Sequence, residues 1–83
     1  MLEIESRREK IDEIDARIIA LIKARQKASW DVQRLRRQAG GPQSDSSRES
    51  SIMVTYENAL GQRGAGIAME ILAACRMQPL PRR

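Results

Sequence analysis

From about Leu2 to Ala39 the chain carries no Pro and no Gly, and its apolar residues recur with helical spacing. Every seventh residue reads Ile4, Ile11, Ile18, Arg25, Val32, Ala39, and an interleaved set reads Arg7, Ile14, Leu21, Ala28, Leu35. That spacing predicts one long helix over about 2–39 with an a/d-like seam. At about 1.5 Å per residue such a helix is roughly 55 Å long. What remains of an 83-residue chain is too short to cover it. The seam therefore calls for other helices along it, most simply those of a second copy.

Ala39-Gly40-Gly41-Pro42 ends the long helix, since Gly accepts the left-handed C-terminal position and Pro cannot continue the ladder. A loop follows over about 40–46. Ser46-Ser47-Arg48-Glu49 reads as a capping box opening a second helix over about 47–60. Gly61 to Gly66 reads as a turn, and a third helix is predicted over about 66–77, with Ile67, Ile71, Leu72, Ala74 and Cys75 as its apolar side. Pro79 and Pro81 close it, leaving a short tail. The expected fold class is all-α: one domain of three helices, the first very long.

With no Phe, one Trp and one Tyr, the core must come from Ile, Leu, Val, Ala and Met. A chain of 9.4 kDa buries little of its own surface, which again favours a partner chain. The absence of His removes imidazole acid–base catalysis and imidazole metal ligands. A single cysteine, Cys75, excludes an internal disulfide and a multi-Cys zinc site and fits a reducing compartment. No apolar run approaches the ~18 residues of a membrane span, and no signal-peptide h-region is seen. The expectation is a cytoplasmic protein that uses no membrane.

Fifteen Lys+Arg against eleven Asp+Glu give a net charge of +4, and all the basic residues but Lys10, Lys23 and Lys27 are Arg. Guanidinium forks suit bidentate capture of carboxylate or phosphate, so the partner is anionic. Composition does not choose between nucleic acid and a small polyanion.

Arg25 is the sharpest anomaly. It occupies a seam position between Ile18 and Val32, where a charge is expensive unless paired or bound to an anion. The alternative is a packed stem with its head in water. Arg36, eleven residues on, lies about 20° from the same face at about 100° per residue; it also fits a solvated face within Arg34-Arg36-Arg37. Arg8 lies about 25 Å along the axis from Arg25. Those two can grip one small ligand only if two long helices run antiparallel, and by itself Arg8 reads as a surface residue. Asp45, Ser46 and Glu49 suit capping roles, whereas Arg48 in a first helical turn opposes the dipole and suggests a negative ligand. Cys75 reads as a small packed side chain, and Ser44, Ser46 and Ser47 have no base to activate them.

Together these residues resemble the all-helical, AroQ-type chorismate mutases. Arg8-Glu9-Lys10-Ile11-Asp12-Glu13-Ile14-Asp15 looks like that family's R-x-x-I-D-x-x-D signature, continuing through Ile18, Leu21 and Ile22 to Arg25. Arg36 falls where the family places Lys or Arg, and Asp45-Ser46-Ser47-Arg48-Glu49 matches its D-x-x-R-E element. The resemblance implies an intertwined helical homodimer that rearranges the dianion chorismate to prephenate, a pericyclic shift needing no cofactor, metal or nucleophile. Arg25 and Arg8 of the partner subunit would clamp the carboxylates, Arg36 would meet the ether oxygen, and Arg48 would add positive field. Asp45 and Glu49 would accept the ring hydroxyl. The catalytic residues it implies are thus Arg25, Arg36, Arg48 and Glu49.

Two positions depart from the pattern: a third-helix Ser, and a Gln four residues later, fall at Cys75, which the resemblance thereby implies as a substrate-binding position, and at Pro79. Proline has no side-chain donor. A short actinobacterial branch also lacks the Gln and is activated by binding DAHP synthase, so a complex with that shikimate-pathway enzyme is an implied partner. This chain does not repeat that branch's Arg/Gly-rich ending. A related branch takes 4-amino-4-deoxychorismate, and Asp45 and Glu49 would equally suit its ammonium. Outside catalysis, the readings are a regulatory helical dimer or a nucleic-acid binder. Asp12, Glu13, Asp15, Asp45, Glu49, Glu57 and Glu70 break any continuous basic face, which argues against nucleic acid.

Overall fold

The structure, a computed structural model, describes residues 2–42 and 45–76. These form α1 (Leu2–Gln38), α2 (Ser46–Leu60) and α3 (Gly64–Cys75). Ser44, Met77, Pro79, Pro81 and the predicted tail lie outside the described residues. The molecule is elongated, 58 × 38 × 17 Å, its long axis close to the length of α1.

The end of α1 is set by its two glycines. Gly41 N–H donates to the Arg36 carbonyl at 2.8 Å and Gly40 N–H to the Arg37 carbonyl at 3.1 Å, a Schellman closure with Gly40 at φ 76°. Ala39 is thus the cap and α1 ends one residue earlier than predicted. The start of α2 differs in kind. Asp45, not Ser46, is the N-cap, and its Oδ1 accepts the Arg48 N–H at 3.1 Å. The predicted capping box is therefore shifted: Glu49 lies one position too far along to reach back to the cap, and its side chain is released for other work.

α3 starts at Gly64, two residues before the predicted start at Gly66. Gly61, at φ 87°, makes the turn, and Gly64 N–H donates to its carbonyl at 2.8 Å. The buried face of α3 is Gly64, Ala68, Leu72 and Cys75, a stripe at helical spacing. Ile67 and Ala74, predicted on the apolar side, are exposed instead. The small residues explain the swap. A Cβ on Gly64 would lie 2.6 Å from the Tyr56 carbonyl carbon and 2.8 Å from Glu57 Cα, so α2 and α3 cross nearly backbone to backbone. A larger face could not approach so closely.

α3 packs on α2 along its length and on the C-terminal part of α1 at its end. Two α1 glutamines one heptad apart make the second junction. Gln26 Nε2 donates to the Ala74 carbonyl at 3.0 Å and Gln33 Nε2 to the Cys75 carbonyl at 2.8 Å. They satisfy carbonyls that the end of a helix leaves without intrahelical partners. The half-buried face of α1 runs through Ile22, Arg25, Gln26, Ser29, Trp30, Gln33 and Arg36. Most of the predicted seam lies outside it: Ile11, Ile14, Ile18, Leu21, Val32 and Leu35 are all at least 45% exposed.

The crossing gives a paired prediction. Gly64→Ala should lower stability by about 1–3 kcal/mol through overpacking against backbone. Gly66→Ala, which meets nothing within 4 Å, should raise it by about 0.4–1 kcal/mol. Denaturant melts of both variants check this, and equal effects would contradict the close crossing. For the glutamine junction, Gln33→Leu should cost about 1–3 kcal/mol by stranding a buried carbonyl acceptor, read in the same melts.

Candidate functional site

An open cavity of about 550 Å³ lies where the last turns of α1, the first turn of α2 and the end of α3 meet. α1 supplies Arg25, Ser29, Gln33 and Arg36, successive residues of one helical face. α2 supplies Asp45, Arg48 and Glu49 from its cap and first turn. α3 contributes Cys75 and Arg76, and the apolar floor is Ala28, Val32, Ile52 and Leu72.

Each element has a local reason for aiming its side chains there. Arg25 is half-buried, and its Nη1 lies 3.5 Å from Ser29 Oγ, one turn on, which steadies the guanidinium against the cavity wall. Arg36 is also half-buried and precedes the Schellman turn, so its backbone is held by the closing hydrogen bond from Gly41. Arg48 donates its N–H to Asp45 while its side chain lines the cavity. Cys75 is buried, its thiol free, and its carbonyl is tied to Gln33. Glu49 faces Arg76, with 3.8 Å between Oε1 and Nη2.

Of the residues singled out in the sequence, the cavity gathers Arg25, Arg36, Arg48, Asp45, Glu49 and Cys75 from three helices. Arg8 stands apart, exposed and seventeen residues up α1 from Arg25, and does not line this cavity. Ser29, Gln33 and Arg76 were missed. The first two follow Arg25 at intervals of four, a signal that counting along the helix face would have caught. Arg76 carried no such signal, because its place depends on how α3 docks.

Among the described residues the lining charges are four guanidinium groups and two carboxylates, a net +2 on the wall of a small cavity. Such a site attracts a compact dianion and repels a cation. Two arginines on one face and a third across the cleft can engage carboxylates at separate points, fixing the conformation of what they hold. The apolar floor fits a carbon ring. The chemistry this arrangement of charges favours is confinement and electrostatic stabilisation.

Comparison with known proteins places the chain in a family. The model of the type II chorismate mutase family matches residues 7–76. An intracellular chorismate mutase of Mycolicibacterium smegmatis is 40% identical over 70 residues, covering 84% of this chain and 67% of the relative. That of Mycobacterium tuberculosis is 37% identical over 70 residues, with 84% and 66% covered. The chain thus spans about two thirds of the length of these curated relatives. Among solved structures, a chain of the non-covalent complex of DAHP synthase and chorismate mutase from Corynebacterium glutamicum, with bound transition state analogue, superposes with a TM-score of 0.87. It is 28% identical, and 93% of each chain is covered. A family model that matches residues 7–76, together with these relatives, leads to one assignment: the chain belongs to the type II chorismate mutase family.

Proposed function

We propose that this chain catalyses the rearrangement of chorismate to prephenate in the cavity between α1, α2 and α3. The observation that carries the reading is the convergence of Arg25, Arg36 and Arg48 on one cavity, in a chain of the chorismate mutase family. The substrate is a dianion whose reacting ends must be folded together. Carboxylates held at Arg25, and at Arg8 of the partner subunit, would meet the ordering cost before the bonds change. As the ether C–O bond breaks and the new C–C bond forms, charge builds on the oxygen. A preorganised Arg36 stabilises that charge more in the transition state than in the ground state.

The distance of Arg8 from the cavity and the exposed seam have the same remedy. Ile4, Ile11, Ile14, Ile18 and Leu21 are between 45% and 69% exposed along the first half of α1. A second α1 laid antiparallel would cover them and bring its Arg8 toward this Arg25. A homodimer with two shared sites is therefore part of the proposal. So is a DAHP synthase partner, which rests on the likeness to the C. glutamicum complex alone.

Loss of chorismate absorbance in the ultraviolet tests the reaction. Arg25→Ala and Arg36→Ala should each lower kcat/KM by about 100-fold or more at unchanged helicity. Wild-type turnover in either variant would refute that residue's role. Sharing across subunits is tested by mixing Arg8→Ala chains with Arg25→Ala chains. A freely exchanging equal mixture should recover about a quarter of wild-type activity, one intact site per heterodimer. No recovery would exclude shared sites. Repeating the turnover assay with a DAHP synthase added should raise it, and an unchanged rate would remove that partner.

A further inference from the structure

Arg76 is the cavity cation supplied by the end of α3. It follows Cys75, whose carbonyl is held by Gln33 at 2.8 Å, while the Ala74 carbonyl is held by Gln26 at 3.0 Å. Those bonds fix the end of α3 against α1 and so fix where residue 76 emerges. There the Arg76 guanidinium reaches across the cavity to Glu49, 3.8 Å away, on the first turn of α2. It is itself 60% exposed, whereas Glu49 is only 26% exposed. The carboxylate is therefore the fixed member, and the arginine is the charge laid over it.

We propose that Arg76 is a specificity-determining residue, which neutralises Glu49 and thereby makes the site select a ring hydroxyl over a ring ammonium. The inference rests on the chorismate mutase reading above and adds a residue and a choice of substrate group to it.

Two carboxylates line the cavity, and either would welcome an ammonium if its charge were free. Neither charge is free. Asp45 spends one oxygen on the Arg48 N–H at the start of α2, where the helix dipole already compensates a negative charge. Glu49 faces Arg76. A hydroxyl asks only for a hydrogen-bond acceptor, which a paired carboxylate still offers. An ammonium asks for net negative charge and would meet four arginines instead. A substrate with two carboxylates and a hydroxyl keeps its full charge of −2 against the +2 wall, whereas the amino analogue presents only −1.

A unit charge about 6 Å away, through a half-wet medium of dielectric about 40, changes affinity roughly tenfold. The test measures kcat and KM for chorismate and for 4-amino-4-deoxychorismate with wild-type protein, Arg76→Ala, Arg76→Gln and Arg76→Lys. Wild type should prefer the hydroxyl substrate. Arg76→Ala should raise KM for chorismate several-fold and lower the preference, taken as the ratio of the two kcat/KM values, by about tenfold. Arg76→Gln keeps the stem and loses the charge, so it should match Arg76→Ala even if truncation loosens α3. Arg76→Lys should restore the preference. Equal losses for both substrates in the Ala and Gln variants would overturn the proposal and leave Arg76 a merely structural residue. So would a wild-type preference for the amine. Turnover of neither substrate by wild type would instead refute the reaction itself, and the proposal with it.

Discussion

Like charges do not gather without a reason, and four guanidinium groups share the wall of one small cavity here. Unit charges about 4 Å apart repel by about 1 kcal/mol in water, and like charges on one wall repel more strongly where the site is partly dry. The two carboxylates in the wall offset only part of that. A bound anion would relieve the rest. The charge of the wall thus favours an anion inside the cavity, and the elements around it serve to hold that charge in place.

Holding the arginines in place falls to small residues and to two amides. Gly64 and Ala68 let α3 lie almost against the backbone of α2, which brings the end of α3 within reach of α1. There Gln26 and Gln33 take up its terminal carbonyls, closing the third wall of the cavity. The Schellman turn at Gly40 and Gly41 reverses the chain directly after Arg36, and Asp45 starts α2 so that Arg48 and Glu49 face back toward α1. None of these contacts is strong alone. Among the described residues only Ala68, Leu72 and Cys75 form buried apolar core, which is very little for a stable domain. The exposed apolar residues Ile4, Ile11, Ile14, Ile18, Ile19, Leu21, Val32 and Leu35 on α1 remain without cover among the described residues.

Much of this was readable in the sequence, for reasons that differ by element. The extent of α1 was plain because no Pro or Gly intervened and its closing glycines act locally. Arg25 and Arg36 were conspicuous as charges on one helical face. The cap of α2 was displaced by one residue, since Asp45, Ser46 and Ser47 all have capping chemistry and only the fold decides which oxygen reaches the N3 amide. The face of α3 was misread because hydropathy pointed to Ile67, whereas close crossing demanded Gly64 and Ala68. The bond from Gln33 to α3 and the place of Arg76 were invisible for a related reason, although Gln33's position on the Arg25 face was not. Their roles exist only once α3 is docked on α1, a relation between residues some forty positions apart that no local pattern records. The seam raises the opposite case: its pattern was clear, and within one chain it is left without a counterpart.

The proposed role of the cavity requires it to bind one dianion through its arginines. Calorimetric titration of a bicyclic dicarboxylate mimic of the transition state into the protein measures that directly. It should give one molecule bound per chain, an affinity that weakens as salt is added, and near-complete loss of binding in the Arg25→Ala protein. Saturable binding that ignores both salt and Arg25, or no binding at all by folded wild-type protein, would contradict it.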